Sequence, residues 1–188
     1  MVPIDLNVVL LHDKMVDKTG LQVTTSVTLI DVHDISRSCR TYGVNSLFVS
    51  HPSQTMRALV RTLKAHWDGG FGESYNPNRK DALSVVSIVT DLDEAIMQVE
   101  RRTGKLPKLI ATSAHHGEGR TSFEDMTRIM MESELPYLLM FGTGWGMSDE
   151  LLQRADFLLD PIDGPTDYNH LSVRGAAAIA LDRLRGVR

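Results

Sequence analysis

The chain has 188 residues, 42% of them hydrophobic and 23% charged, with 14 Gly, 7 Pro and 6% aromatic residues. A chain of this size suits a single domain, for which roughly 100 to 200 residues is the usual range, and this apolar content excludes intrinsic disorder. The formal net charge of -4, with 20 Lys and Arg, excludes a basic field over the whole molecule but leaves room for a local basic patch.

No apolar run approaches the roughly 20 residues of a membrane span. The opening MVPIDLNVVLLHDK lacks a basic leader and a small-residue cleavage site, so it reads as a first strand and not as an export signal. A single cysteine, Cys39, allows no internal disulfide, and no Cys or His stands near it at ligand spacing, so no metal site is expected. These features together predict a cytoplasmic protein without membrane contact.

Six short apolar runs read as strands: Asn7 to Leu11, Ser46 to Val49, Ser84 to Val89, Leu109 to Thr112, Tyr137 to Phe141 and Phe157 to Leu159. A helical pattern follows each. After the first, Val32, Ile35, Cys39 and Tyr42 recur at helical steps and Gly43 stops them. Met56, Leu59, Val60, Leu63 and Trp67 form the next stripe, with Arg57, Arg61 and Lys64 on another face. Later helices are read on Leu92 to Val99, Phe123 to Met130, Met147 to Leu152 and Val173 to Leu184. Strands that are apolar throughout suit a sheet covered on both faces. The fold class is therefore α/β, with a parallel sheet of about six strands between helix layers. Val23 to Ile30 alternates at period 2 and could form an edge strand, but a structured loop leading into the first helix is the preferred reading.

Gly69 to Lys80 is the one long stretch without periodicity, and Tyr75, Arg79 and Lys80 within it suit substrate contact by stacking and phosphate binding. An ordinary surface connection explains it equally well. Charge is uneven here: five basic residues against two acidic ones in 51–80, then five acidic and none basic in 81–100. Familiar nucleotide and hydrolase signatures are absent. Around GEGRTS the first glycine of a P-loop is replaced by Ala114 and its lysine by Arg120, while GTGWG carries Trp145 where a nucleophile elbow needs serine. His115 and His116 are adjacent, and no HExxH accompanies them.

What remains are three loops after late strands, where α/β proteins bind ligands. They are TSAHHGEG, MFGTGWGMSDELL and LLDPIDGPTDYNHLSVRGAAAIALDRL. Glycine lets a backbone approach a ligand and proline stiffens a loop. With DVHDISRSCRTYGV upstream, this ordered set resembles the motifs of the SPOUT superfamily of S-adenosylmethionine-dependent RNA methyltransferases, nearest to its small single-domain members, over about Leu6 to Arg185.

The resemblance implies a single domain with a deep trefoil knot at its C-terminal end and a pocket for S-adenosylmethionine, with S-adenosylhomocysteine as product. The implied cofactor contacts are Thr112, Ser113, Ala114, His115, Met140, Phe141, Gly142, Thr143, Gly144, Trp145, Gly146, Asp160, Pro161, Ile162, Asn169, Leu171 and Ser172. Arg37 stands where ribose-methylating relatives place an arginine beside the reacting hydroxyl. Those relatives have Asn six residues and Gly four residues before it, whereas this chain has Asp31 and His33. That departure leaves base nitrogen and ribose 2'-O both open. Arg40 shares the face of Arg37 and is a further substrate contact; a solvated helix surface is the alternative for both. Asp163, Asp167 and His170 are candidate bases, Asp167 the preferred one. The implied partners are an RNA substrate and a second copy of the chain, the latter against the small residues Gly175 to Ala180. The competing readings are a non-catalytic RNA-binding or scaffold protein that keeps the fold, and an unrelated nucleotide-binding α/β protein.

Overall fold

The computed structural model describes residues 4–69 and 76–187. Its first strand, β1 (Leu6–Leu11), is buried along its whole length. A two-stranded hairpin, β2 (Met15–Val16) and β3 (Gln22–Val23), follows it. An extended segment then leads into α1 (Leu29–Thr41), so the preferred loop reading of 23–30 holds for 24–28, while Val23 belongs to β3 and Leu29 and Ile30 open the helix. Next come β4 (Ser46–Ser50), α2 (Gln54–Asp68), α3 (Pro77–Ser84) and β5 (Val86–Val89). After α4 (Leu92–Thr103) and β6 (Lys108–Ala111) the chain adds a short β7 (Arg120–Thr121) and α5 (Phe123–Met131). It ends with β8 (Tyr137–Phe141), α6 (Asp149–Leu152), β9 (Phe157–Leu159) and α7 (Val173–Arg185).

Among the described residues seven strands form one parallel sheet in the order β5-β4-β1-β8-β6-β9-β7. All six expected strands are present, and β7 is a seventh that two residues could not announce. Alternate residues of β1 and β8 enter opposite cores. Leu6, Val8, Leu10, Tyr137, Leu139 and Phe141 pack with α1, α2, α3, α5 and α7, while Val9, Leu11, Leu138 and Met140 pack with α4 and α6. Covering both faces is what allows strands without polar alternation.

Two boundaries differ from expectation. Pro77 to Lys80 are helical, not loop, because Asn76 caps α3 by accepting from the Arg79 N–H and Pro77 takes the first turn, where its missing N–H costs nothing. Ser84 accordingly closes that helix and does not open β5. Residues 70–75, and with them Tyr75, lie outside the described residues. Among the described residues no helix is long and apolar enough to cross a membrane.

Candidate functional site

The chain fills one side of the sheet from β1 through β4 to β5, then crosses to β6 and returns to place β8 beside β1. Such a switch point opens a crevice beyond the carboxyl ends of the strands. A cavity of about 1170 Å³ lies there. Its walls are the loop after β6 (Thr112, Ser113, Ala114, His115, His116), the loop after β8 (Phe141 to Met147) and the loop after β9 (Asp160, Ile162, Asp163, Thr166, Asp167, Asn169 to Ser172). Thus the three glycine- and proline-rich segments singled out in the sequence do converge.

The loop after β8 is held from behind by the β2–β3 hairpin. Val16 N–H donates to the Gly146 carbonyl at 2.9 Å, and Trp145 N–H donates to the Val16 carbonyl at 3.2 Å. Gly144 and Gly146 have φ of +61° and +114°, backbone that side-chain-bearing residues resist. Across the mouth, Asn169 Nδ2 donates to the Ala114 carbonyl at 2.9 Å, tying the β9 loop to the β6 loop. His116 Nε2 and Asp163 Oδ1 approach to 3.3 Å and bridge the same two loops.

A fourth wall was not legible. Thr25, Ser26 and Thr28, from the segment before α1, and Asp31, in its first turn, line the cavity, as do Ala176 and Ala180 of α7. Asp31 is buried and accepts from Arg174 Nη1 at 2.9 Å. Thr143 Oγ1 and Thr25 Oγ1 share a hydrogen bond at 2.5 Å, and each hydroxyl also lies within donating distance of a β1-end carbonyl, Leu11 for Thr143 and His12 for Thr25. Thr25 in turn is fixed by two buried histidines. Its N–H donates to the His12 carbonyl. Its carbonyl accepts from His51 Nε2, whose other ring nitrogen receives the Ser53 N–H at 2.9 Å. No local spacing predicts this chain, because it joins residues more than a hundred positions apart.

Burial holds His12 below the ordinary histidine range; the neighbouring His51 acts in the same sense, and the hydrogen bond to the Ser50 carbonyl opposes it. In the unfolded chain the ring takes a proton below about pH 6.5, while the folded protein refuses it until lower pH. Stability is therefore expected to fall as pH drops below that value, by up to about 1.4 kcal/mol per pH unit for one proton. Chemical denaturation at neutral and mildly acid pH checks this. His12→Asn should flatten the dependence.

Several expected site residues lie elsewhere. Met140 is fully buried in the second core, and what it offers the site is its carbonyl, which accepts from Thr112 N–H and Oγ1. Pro161 faces a smaller neighbouring hollow of about 470 Å³, not the main cavity. Arg37 is exposed on α1 and does not line the cavity. Asp31 and Arg37 are six residues apart, about 240° around a helix, so when one faces inward the other faces away. Arg40 pairs with Asp81 at 2.9 Å, both half exposed, a contact of little energetic weight. Arg79 lies 4.5 Å over the Trp67 ring, and Lys80 follows it in α3. The small residues of α7 serve the interior: Ala177 and Ala180 are fully buried, and Ala176 and Ala180 border the cavity.

The family model of SAM-dependent RNA methyltransferases matches residues 5–186. A tRNA (guanine-N(1)-)-methyltransferase of Oleidesulfovibrio alaskensis is 44% identical over 177 residues, covering 94% of this chain and 41% of that protein. An uncharacterized protein of Aquifex aeolicus is 34% identical, with 94% of this chain and 86% of that one covered. The chain thus spans about two fifths of the length of the named curated relatives it matches. In fold it is similar to a probable methylase family protein of Haemophilus influenzae, with a TM-score of 0.66 at 15% identity over 97% of this chain and 66% of that one. It is also similar to the TrmH/SpoU tRNA modifying enzyme of A. aeolicus, with a TM-score of 0.57 at 18% identity over 97% and 75%. The match of the family model to residues 5–186, nearly the whole chain, means that this chain belongs to the SAM-dependent RNA methyltransferases.

Proposed function

We propose that the protein transfers the methyl group of S-adenosylmethionine to RNA, tRNA or rRNA, within a single domain carrying the superfamily's C-terminal knot and working as a homodimer. The observation that carries this reading is the convergence of the three motif loops on one cavity at the strand ends, in a chain matched almost throughout by the family model.

The donor set suits the cofactor. Asp160, Asp163 and Asp167 line the cavity beside Asp31, whose charge Arg174 answers, and among the described residues no Lys or Arg lines it, which favours a sulfonium cation over an anionic ligand. Main-chain groups of Phe141 to Gly146 would hold an adenosyl moiety, with Thr112 to His115, Asp160, Ile162, Leu171 and Ser172 closing the pocket around Asn169. The bound cofactor supplies an electrophilic methyl group whose transfer leaves a neutral thioether. The protein's part is to align the acceptor, exclude water and take up its proton. Asp167, exposed on the β9 loop at the cavity wall, is the proposed proton acceptor. Arg37, Arg40, Arg79 and Lys80, on the outer faces of α1 and α3, are proposed contacts for the RNA backbone, with Tyr75 beside them in the chain.

Both base nitrogen and ribose 2'-O stand as targets. The guanine N1 named for the long relatives favours a base, although more than half of their length lies beyond the match. One observation favours the non-catalytic alternative: the arginine in the family's catalytic position lies outside the cavity.

Titration calorimetry with S-adenosylhomocysteine tests the reading, followed by transfer of labelled methyl to RNA and analysis of its nucleosides. Saturable binding is expected, with about 2.7 kcal/mol of added stability at a hundred times the dissociation constant. No heat and no thermal shift at millimolar ligand overturns it. Binding without transfer to any RNA turns the balance to the non-catalytic reading.

A further inference from the structure

Three exposed aromatic rings cluster beside the cavity. Trp145 is 60% exposed and Tyr168 74%. The His170 ring lies 6.4 Å from Trp145 and 5.3 Å from Tyr168 by centroid, edge-on to both. Trp145 and His170 are cavity-lining residues. Their backbone is not loose: Trp145 is pinned to Val16, and the Asn169 side chain, between the other two rings in sequence, is bonded to the Ala114 carbonyl. Rings of this size normally gain by burial. Here a fixed backbone holds them out of the core.

Resting on the methyl-transfer reading, we propose that Trp145, Tyr168 and His170 form a stacking site for one unpaired nucleobase, which they present edge-first to the cavity. The surrounding chemistry favours that occupant. Among the described residues no Lys or Arg lines the cavity, so it offers a phosphate no cationic side chain and favours holding a nucleotide by its uncharged part. Stacking on aromatic faces does this for any base. Asp163 and Asp167, in the lining of the same cavity, accept hydrogen bonds when ionised, which complements the amino and imino N–H groups on a base edge. A base still paired in a duplex shows no face to stack on, so the substrate site is single-stranded or flipped out.

Trp145, assigned by the resemblance to the cofactor, thereby becomes a substrate residue. The test compares the wild type with Trp145→Ala, Trp145→Phe and Tyr168→Ala, all with saturating S-adenosylhomocysteine. Each is titrated into a short labelled single-stranded RNA of mixed sequence and into the same RNA annealed to its complement. Trp145→Ala should weaken single-strand binding by about tenfold, Tyr168→Ala by less, and Trp145→Phe should restore most of it. For Tyr168→Ala, whose residue is not part of the cavity lining, cofactor-product affinity by calorimetry and the melting temperature should not change. Equal RNA binding by wild type and Trp145→Ala overturns the proposal, as does a wild type that prefers duplex. Loss of S-adenosylhomocysteine binding in Trp145→Ala in the same proportion overturns it by making the ring a cofactor wall. A dimer that sedimentation shows to dissociate in Trp145→Ala overturns it in favour of a subunit contact. Failure of the wild type to bind S-adenosylhomocysteine at all is a different result, and removes the methyl-transfer reading itself.

Discussion

Ala176→Leu is expected to weaken S-adenosylhomocysteine binding by about ten- to a hundredfold while the protein stays folded. Ala176 is half-buried on α7 and borders the cavity, one helical turn before the fully buried Ala180. Leucine is nearly as good a helix former as alanine, so α7 tolerates the change. Its added carbons enter space that a ligand must occupy, and an intrusion of that size into a fitted site costs about 1 to 3 kcal/mol. Ala180→Leu supplies the contrast. That position is also part of the core against the sheet, so the same side chain there should lower the melting temperature as well as the affinity. Calorimetry with ligand and scanning calorimetry without it separate the two. If Ala176→Leu binds like the wild type, the adenosyl pocket lies somewhere else.

Gly146→Ala is expected to cost both stability and affinity, for a reason that lies in the backbone alone. A Cβ at this position meets nothing within 4 Å, yet φ is +114°, a conformation that costs a residue with a side chain about 1 to 3 kcal/mol. The residue cannot relax freely, because its N–H is bonded to the Thr143 carbonyl and its carbonyl to the Val16 N–H. Either the strain is kept and the protein melts about 2 to 10 °C lower, or the loop breaks from the hairpin and the cavity wall moves. Gly117→Ala is the control. It lies in the β6 loop, its φ is not positive, and a Cβ there makes only ordinary contact with the Arg120 side chain at 3.6 Å. A Gly146→Ala protein with wild-type melting and binding would show that the β8 loop does not hold the ligand.

Legibility followed the length of each signal. β1, β4 and β8 were read within a residue because runs such as LNVVLL and YLLMF are apolar on both faces, which suits a central parallel strand. β7 and the β2–β3 hairpin have two residues per strand, too few to show any period. α3 escaped for another reason. Only Ala82 and Leu83 of its eight residues are buried, so it carries no apolar stripe, and its one sequence signal was the Asn76–Pro77 start. In the site, the three motif loops were legible because ligand-facing backbone needs glycine and stiff turns, which are unusual residues in unusual density. Arg37 is exposed on α1 and away from the cavity lining, a placement that depends on helix phase and that its position in the motif does not report.

What the sequence determined by itself is therefore the α/β class, the strands long enough to carry a pattern and the loops whose backbone is specialised. These are local properties, expressed within a few residues of chain. Only the tertiary structure decided that Thr25 is wired to Thr143, that Asp31 meets Arg174, that Ala176 borders the cavity and that Trp145 stands at its mouth beside His170. Each of these pairings depends on where the sheet order sets β8 and β9 relative to β1. That order is settled by burial of the whole core at once, and no short stretch of sequence encodes it.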